Sequence, residues 1–193
     1  MCRPRLQNVF ASGWHLHQSL VNRSDGKNAF TSNKQSLPLS NVGSQFVAGI
    51  LKNADASCIF TTPTINGYKR YKPKSLAPDR ILWAKDNRGA MVRVLGSNED
   101  QGSRIENRVG DPGANPYFYL MSQILSGLDG IENKLIPSLI TETPYTSDAD
   151  RLPHSLMEAA DAFDRSSFYR TRLSDEFVEY LLKIKRNEIK RFL

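Results

Sequence analysis

Apolar and polar residues first alternate along the chain and later recur at helical spacing. In Ala11-Ser12-Gly13-Trp14-His15-Leu16-His17-Gln18-Ser19-Leu20, an extended backbone puts Trp14, Leu16 and Leu20 on one side, facing a core. It puts His15, His17 and Ser19 on the other. Ser24-Asp25-Gly26, lying between this run and Ala29-Phe30, predicts a hairpin connection, because Asp-Gly pairs supply the positive φ of tight turns. Over 44–53, Phe46, Val47, Ile50 and Leu51 share one helical face. Residues 61–78 are rich in Thr, Pro, Asn, Gly and Lys without a steady period, which predicts a long irregular segment of the kind that carries function. Short strands are expected at 81–83, 90–95 and 104–109, in an antiparallel sheet.

Beyond Asp111-Pro112-Gly113, a helix is expected over 117–128, with Leu120, Met121, Ile124, Leu125 and Leu128 on one face and Gly127 and Gly130 closing it. Ser155 and Glu158 have capping-box spacing ahead of Ala159. A last helix begins near Ser174, with Asp175 and Glu176 in its first turn and Lys183, Lys185 and Arg186 further on, as the helix dipole favours. Strands first and helices afterwards describe an α+β fold: an antiparallel sheet followed by packed helices. Residues 1–110 would be mainly strands and active-site loops, and 111–193 mainly helical. A parallel nucleotide-binding sheet is not expected, and neither common Gly-rich phosphate loop is present.

Composition changes this picture little. The 193 residues, 39% hydrophobic and 24% charged, suit one soluble domain. No apolar run approaches the roughly 20 residues of a membrane span, and Met1-Cys2-Arg3-Pro4-Arg5 lacks the apolar stretch of a signal peptide, so a cytoplasmic protein is expected. Cys2 and Cys58 have neither metal-site nor redox spacing and are read as buried or idle thiols. The net charge of +6 does not form a nucleic-acid stripe. Arg70, Arg80, Arg88, Arg93, Arg104 and Arg108 are scattered singly, which suits discrete phosphate or carboxylate groups held by the guanidinium fork. The terminal lysines read as a solvated helix face.

Two patterns carry chemistry. His15-Leu16-His17-Gln18-Ser19 lines one strand face with two imidazoles and a hydroxyl, able to bind a divalent metal or a phosphate or to be ordinary surface histidines. Arg104-Ile105-Glu106-Asn107-Arg108 sets a carboxylate between two guanidiniums. It could be a metal ligand beside anion-binding arginines or a surface ion-pair ladder. Arg88 and Arg93, with Asn87 and Gly89, form a third group. His154 reads as idle.

In order, these pieces resemble the glutamine synthetase family, whose catalytic half carries Gly-x-His-x-His-x-Ser, Asn-Pro-Thr-x-Asn-x-Tyr-Lys-Arg, Asn-Arg with a further Arg, Arg-Arg-Ile-Glu-x-Arg and Ala-Asn-Pro-Tyr. Here they correspond to residues 13–19; to Thr62-Pro63-Thr64-Ile65-Asn66-Gly67-Tyr68-Lys69-Arg70; to Asn87-Arg88 with Arg93; to 103–108; and to Ala114-Asn115-Pro116-Tyr117. The resemblance covers roughly 11–136. It implies ATP as substrate and Mg2+ or Mn2+ held by His15 and Glu106. His17, Ser19, Arg88, Arg93 and Arg104 would face ATP or the acyl-phosphate, with Arg88 and Arg93 catalytic. Arg70 and Arg108 would clamp a glutamate-like acid. The implied reaction activates the γ-carboxylate as an acyl-phosphate, which ammonia or an organic amine then attacks. Leu76 stands where the family has its ammonium-handling Glu, and Phe10-Ala11 where it has Asn-Gly. These departures imply either a divergent ligase using an organic amine or a non-catalytic binding relative. The N-terminal β-grasp domain and further carboxylate ligands of relatives are not in this sequence, so the chain is expected to be part of an active site. The parent is expected to be a homo-oligomeric ring.

Overall fold

The computed structural model describes residues 10–72, 75 and 77–193; Cys2 and Leu76 lie outside them. Four short strands, β1 (Leu16–Gln18), β2 (Trp83–Lys85), β3 (Val92–Leu95) and β4 (Arg104–Asn107), form one sheet in the order β1-β4-β3-β2. The described residues also form six α-helices: α1 (Asn41–Lys52), α2 (Ala54–Thr61), α3 (Pro116–Glu132), α4 (Leu156–Asp164), α5 (Ser167–Leu173) and α6 (Asp175–Phe192). The α+β expectation holds, with corrections in strand direction and element order. β2 and β3 run parallel, Trp83 opposite Val92, whereas β1–β4 and β3–β4 are antiparallel. Parallel neighbours normally need a long crossover. Strands of three and four residues are short enough for the turn after Lys85, entered through Asp86 at φ 48°, to return directly. A second departure is the order of elements, since α1 and α2 lie between β1 and β2.

The hairpin after β1 forms as expected. Val21 bridges Asn28, Asn22 N donates to Lys27 O at 2.8 Å, and Gly26 takes φ 69°. Trp14 is a correction: it is 41% exposed, and its ring meets that of Tyr119 in a T-shaped contact, at 6.1 Å between centroids. The segment 61–78 is not wholly irregular. It begins with the end of α2 and contains a 3-10 turn, Gly67–Arg70.

Val92, Val94 and Ile105 are fully buried on the helix side of the sheet. There they join a core whose centre is aromatic, with Phe60 at 5.1 Å from Phe163 and 5.3 Å from Tyr169. Cys58 is buried there too, and burial pushes its thiol up to about 12. The α4 cap forms as predicted, Ser155 Oγ accepting from Glu158 N at 3.1 Å and Glu158 Oε2 from His154 N at 2.9 Å. Ser174 caps α6.

Gly127 and Gly130 do not end α3, which runs past both to Glu132. A Cβ at Gly49 of α1 would lie 2.6 Å from Gly130 N, and one at Gly130 would lie 2.7 Å from Gly49 N. The two helices touch backbone to backbone, a contact that outweighs the ~1 kcal/mol each internal glycine costs a helix. The apolar stripe of α3 turns outward: Leu120, Ile124 and Leu128 are exposed, while Ser122, Gln123, Ser126 and Asp129 are buried. Gln123 Oε1 accepts from Asn107 Nδ2 at 2.6 Å, tying α3 to β4.

Candidate active site

The face of the sheet turned away from the helices carries charge. Across β1, β4 and β3, His17, Glu106 and Arg93 stand in one row, because side chains at paired positions share a face. Glu106 is 3% exposed and is the hub. Its Oε1 lies 2.9 Å from His15 Nδ1, 3.6 Å from His17 Nε2 and 2.8 Å from Arg108 Nη1, and its Oε2 accepts from Arg93 Nη1 at 3.2 Å. Burial alone would raise its pKa. The hydrogen bond with His15 and the charges of Arg108 and Arg93 outweigh it and hold the carboxyl down at about 2.

Burial lowers the pKa of His17, helped by Arg104 and opposed by Glu106, so its imidazole stays neutral further into the acid range. Arg104 Nε points at His17 Nδ1 across 3.3 Å. Burial also lowers Arg108, whose Nε donates to the Arg88 carbonyl at 2.9 Å. For Arg93, burial is outweighed by hydrogen bonds to Asp86 and Glu106, and its pKa is raised.

The structure thus brings together His15, His17, Glu106, Arg93 and Arg108, with Arg104 beside His17 and the exposed Arg88 reached through its carbonyl. Ser19, beyond β1, is exposed. Arg70 is buried and engaged elsewhere: its Nη2 donates to the carbonyls of Arg108, Val109 and Gly110 at 3.2, 2.6 and 3.1 Å. Two participants have no counterpart among the expected site residues. Asp86 pairs with Arg93, and its place in the turn Asp86-Asn87-Arg88-Gly89 is the only signal. Gly13 leaves space beside the His15 ring, since a Cβ there would fall 2.9 Å from His15 Cδ2 and 3.1 Å from Arg70 Nη1. Phe10 is exposed and Ala11 half-buried.

Among the described residues no group of three His, Cys, Asp or Glu is placed to hold a metal ion. His15 and Glu106 put an imidazole nitrogen and a carboxylate oxygen 2.9 Å apart, near enough to share one ion. These donors suit part of a divalent-ion shell.

The profile of the family described as "Glutamine synthetase, catalytic domain" matches residues 1–193. The chain belongs to this family. The likeness drawn from its motifs is therefore borne out, and relatives place it further. It is 48% identical over 195 residues to "Gamma-glutamylanilide synthase" of an Acinetobacter species, covering 100% of this chain and 39% of the relative. To glutamine synthetase of Pyrococcus abyssi it is 37% identical, covering 94% of this chain and 42% of the relative. To that of Thermus thermophilus it is 33% identical, covering 95% and 42%. The chain spans about two fifths of the length of these relatives. No helix among the described residues is long and apolar enough to cross a membrane.

Proposed function

We propose that this chain forms the phosphate-facing part of the active site of an ATP-dependent carboxylate–amine ligase. A γ-carboxylate oxygen of glutamate attacks the γ-phosphorus of ATP, releasing ADP. The nitrogen of an amine then attacks the acyl carbon of the acyl-phosphate, phosphate leaves, and the amine gives up a proton. The observation that carries this reading is the convergence of two imidazoles and two guanidiniums on Glu106. It is a cationic surface around one ionised acid, as phosphoryl transfer requires. His15 and Glu106 would hold Mg2+ or Mn2+, whose chemistry is to neutralise the charge of the ATP phosphates. Arg88, Arg93 and Arg104 would meet phosphate oxygens, His17 and Ser19 would face ATP, and Arg108 would take the substrate carboxylate. Arg70, with Nη2 on three carbonyls, supports the substrate side through the backbone unless it turns when substrate binds.

The amine we propose is aromatic, of the aniline class. The 48% identity to a protein named for a γ-glutamylanilide supports this. So does Leu76, which removes the acid that suits ammonium, and Phe10-Ala11, which replaces the Asn-Gly that holds the substrate glutamate in relatives, marks the same divergence. With two metal donors, the chain by itself is proposed to bind the ion weakly and to turn over nothing. The complete enzyme is proposed as a cytoplasmic homo-oligomeric ring. The test is ATP-dependent phosphate release by the protein carrying this domain, with glutamate and a panel of amines. Aniline should exceed ammonium by about tenfold or more, the scale on which an apolar pocket discriminates, and the 193-residue chain alone should stay at the blank. Ammonium outperforming aniline would overturn the amine, and no release with any amine would overturn the ligase.

A further inference from the structure

The free edge of β2 is covered by the segment that follows α3. Trp83 Nε1 donates to Ser138 O at 2.7 Å, Thr141 N to Trp83 O at 3.2 Å, and Asn87 Nδ2 to Glu142 O at 3.2 Å. This strap then makes a 3-10 turn, Pro144–Thr146, that lays the Tyr145 ring on Gly89. A Cβ at Gly89 would lie 2.8 Å from Tyr145 Cε2 and 2.9 Å from Cζ. Gly89 follows Arg88 in the turn between β2 and β3. On the turn's other side Arg108 Nε holds the Arg88 carbonyl at 2.9 Å, and Asn87 Oδ1 accepts from Gly89 N at 3.0 Å. The Arg88 side chain is exposed, and the backbone of this turn sets the point from which it leaves the chain. The Tyr145 hydroxyl is buried and has no hydrogen-bond partner among the described residues. Burying a hydroxyl without a partner is unfavourable, so the ring serves here by its shape.

We propose that Tyr145 is a positioning residue for Arg88: its ring, seated on Gly89, clamps the Arg88 turn against Arg108 and aims the guanidinium at the phosphate site. Gly89 is required because any side chain would meet the ring, not because of its backbone angle, which lies outside the left-handed region. The inference rests on the phosphate reading given above.

Tripolyphosphate binding to the protein carrying this domain, measured by calorimetry, tests it. Gly89→Ala should weaken binding about tenfold and Tyr145→Ala about threefold, while the double variant should bind like Tyr145→Ala, since contacting residues are not additive. Tyr145→Phe should bind like wild type. In an Arg88→Ala background neither Gly89→Ala nor Tyr145→Ala should weaken binding further, a result that general loosening of the fold would not give. Additive losses, losses that persist without Arg88, or weaker binding by Tyr145→Phe would each overturn the clamp. A wild-type protein carrying this domain that does not bind tripolyphosphate would overturn the phosphate reading and the clamp with it. Normal binding by Gly89→Ala would overturn the clamp alone.

Discussion

On the helix side of the sheet, burial is neutral. Phe60, Phe163 and Tyr169 interlock, and the one hydroxyl they enclose, that of Tyr169, is satisfied by Ser57 at 2.7 Å and Ser126 at 3.2 Å. Burial pushes that phenol up to about 12, so it stays uncharged. On the opposite side, Glu106 is buried but ionised, paired with Arg93 and Arg108 and with Arg88 and Arg104 nearby. The first arrangement is complete in itself. The second leaves Arg88 and Arg104 exposed beside the buried acid, and this separates a stabilising core from the surface proposed above to meet phosphate.

Three perturbations sharpen that contrast. Phe163→Ala, on the neutral side, should lower unfolding free energy by about 4 kcal/mol in urea titration without altering its pH dependence. Glu106→Gln, on the charged side, should cost of order 3 kcal/mol at neutral pH and should also flatten the acid limb. The sign follows from the depressed pKa: in the unfolded chain the carboxyl takes its proton near 4.5, in the folded chain at about 2. Its contribution is therefore full above 4.5 and is lost as pH falls through 2. Urea midpoints for wild type and Glu106→Gln between pH 6 and 2 should converge, and parallel curves would show that Glu106 is not held this way. Tyr169→Phe should cost only about 1 kcal/mol, as deletion of one satisfied hydroxyl does. A loss as large as that of Phe163→Ala would mean that the helical side depends on hydrogen bonding rather than packing.

The sequence made the charged side legible because a period of two is preserved on β1 and β4. His15, His17, Glu106 and Arg108 could be set on shared faces without any tertiary information. The cap at Ser155 and the start of α6 were legible for the same local reason. What escaped depends on contacts distant in the chain. α2 is buried at every residue except Asp55 and so shows no polar stripe, and α5 is only two turns long. The glycines of α3 look like stops until α1 is seen against them. The outward turn of Leu120, Ile124 and Leu128 follows from that same glycine contact, which claims the opposite face for the core. Arg70's three carbonyl partners are backbone oxygens and leave no trace in residue types, and the parallel pairing of β2 arises from strand length rather than composition.

The buried amide pair between Asn107 and Gln123 has one more consequence. Glu106 and Asn107 point to opposite faces of β4, so a slip of that strand by a single residue would carry the carboxylate into the helices and the amide out to the arginines. Gln123 makes that misalignment unfavourable from the core side, and so the place of the acid on the outer face is guarded by a residue that never touches it.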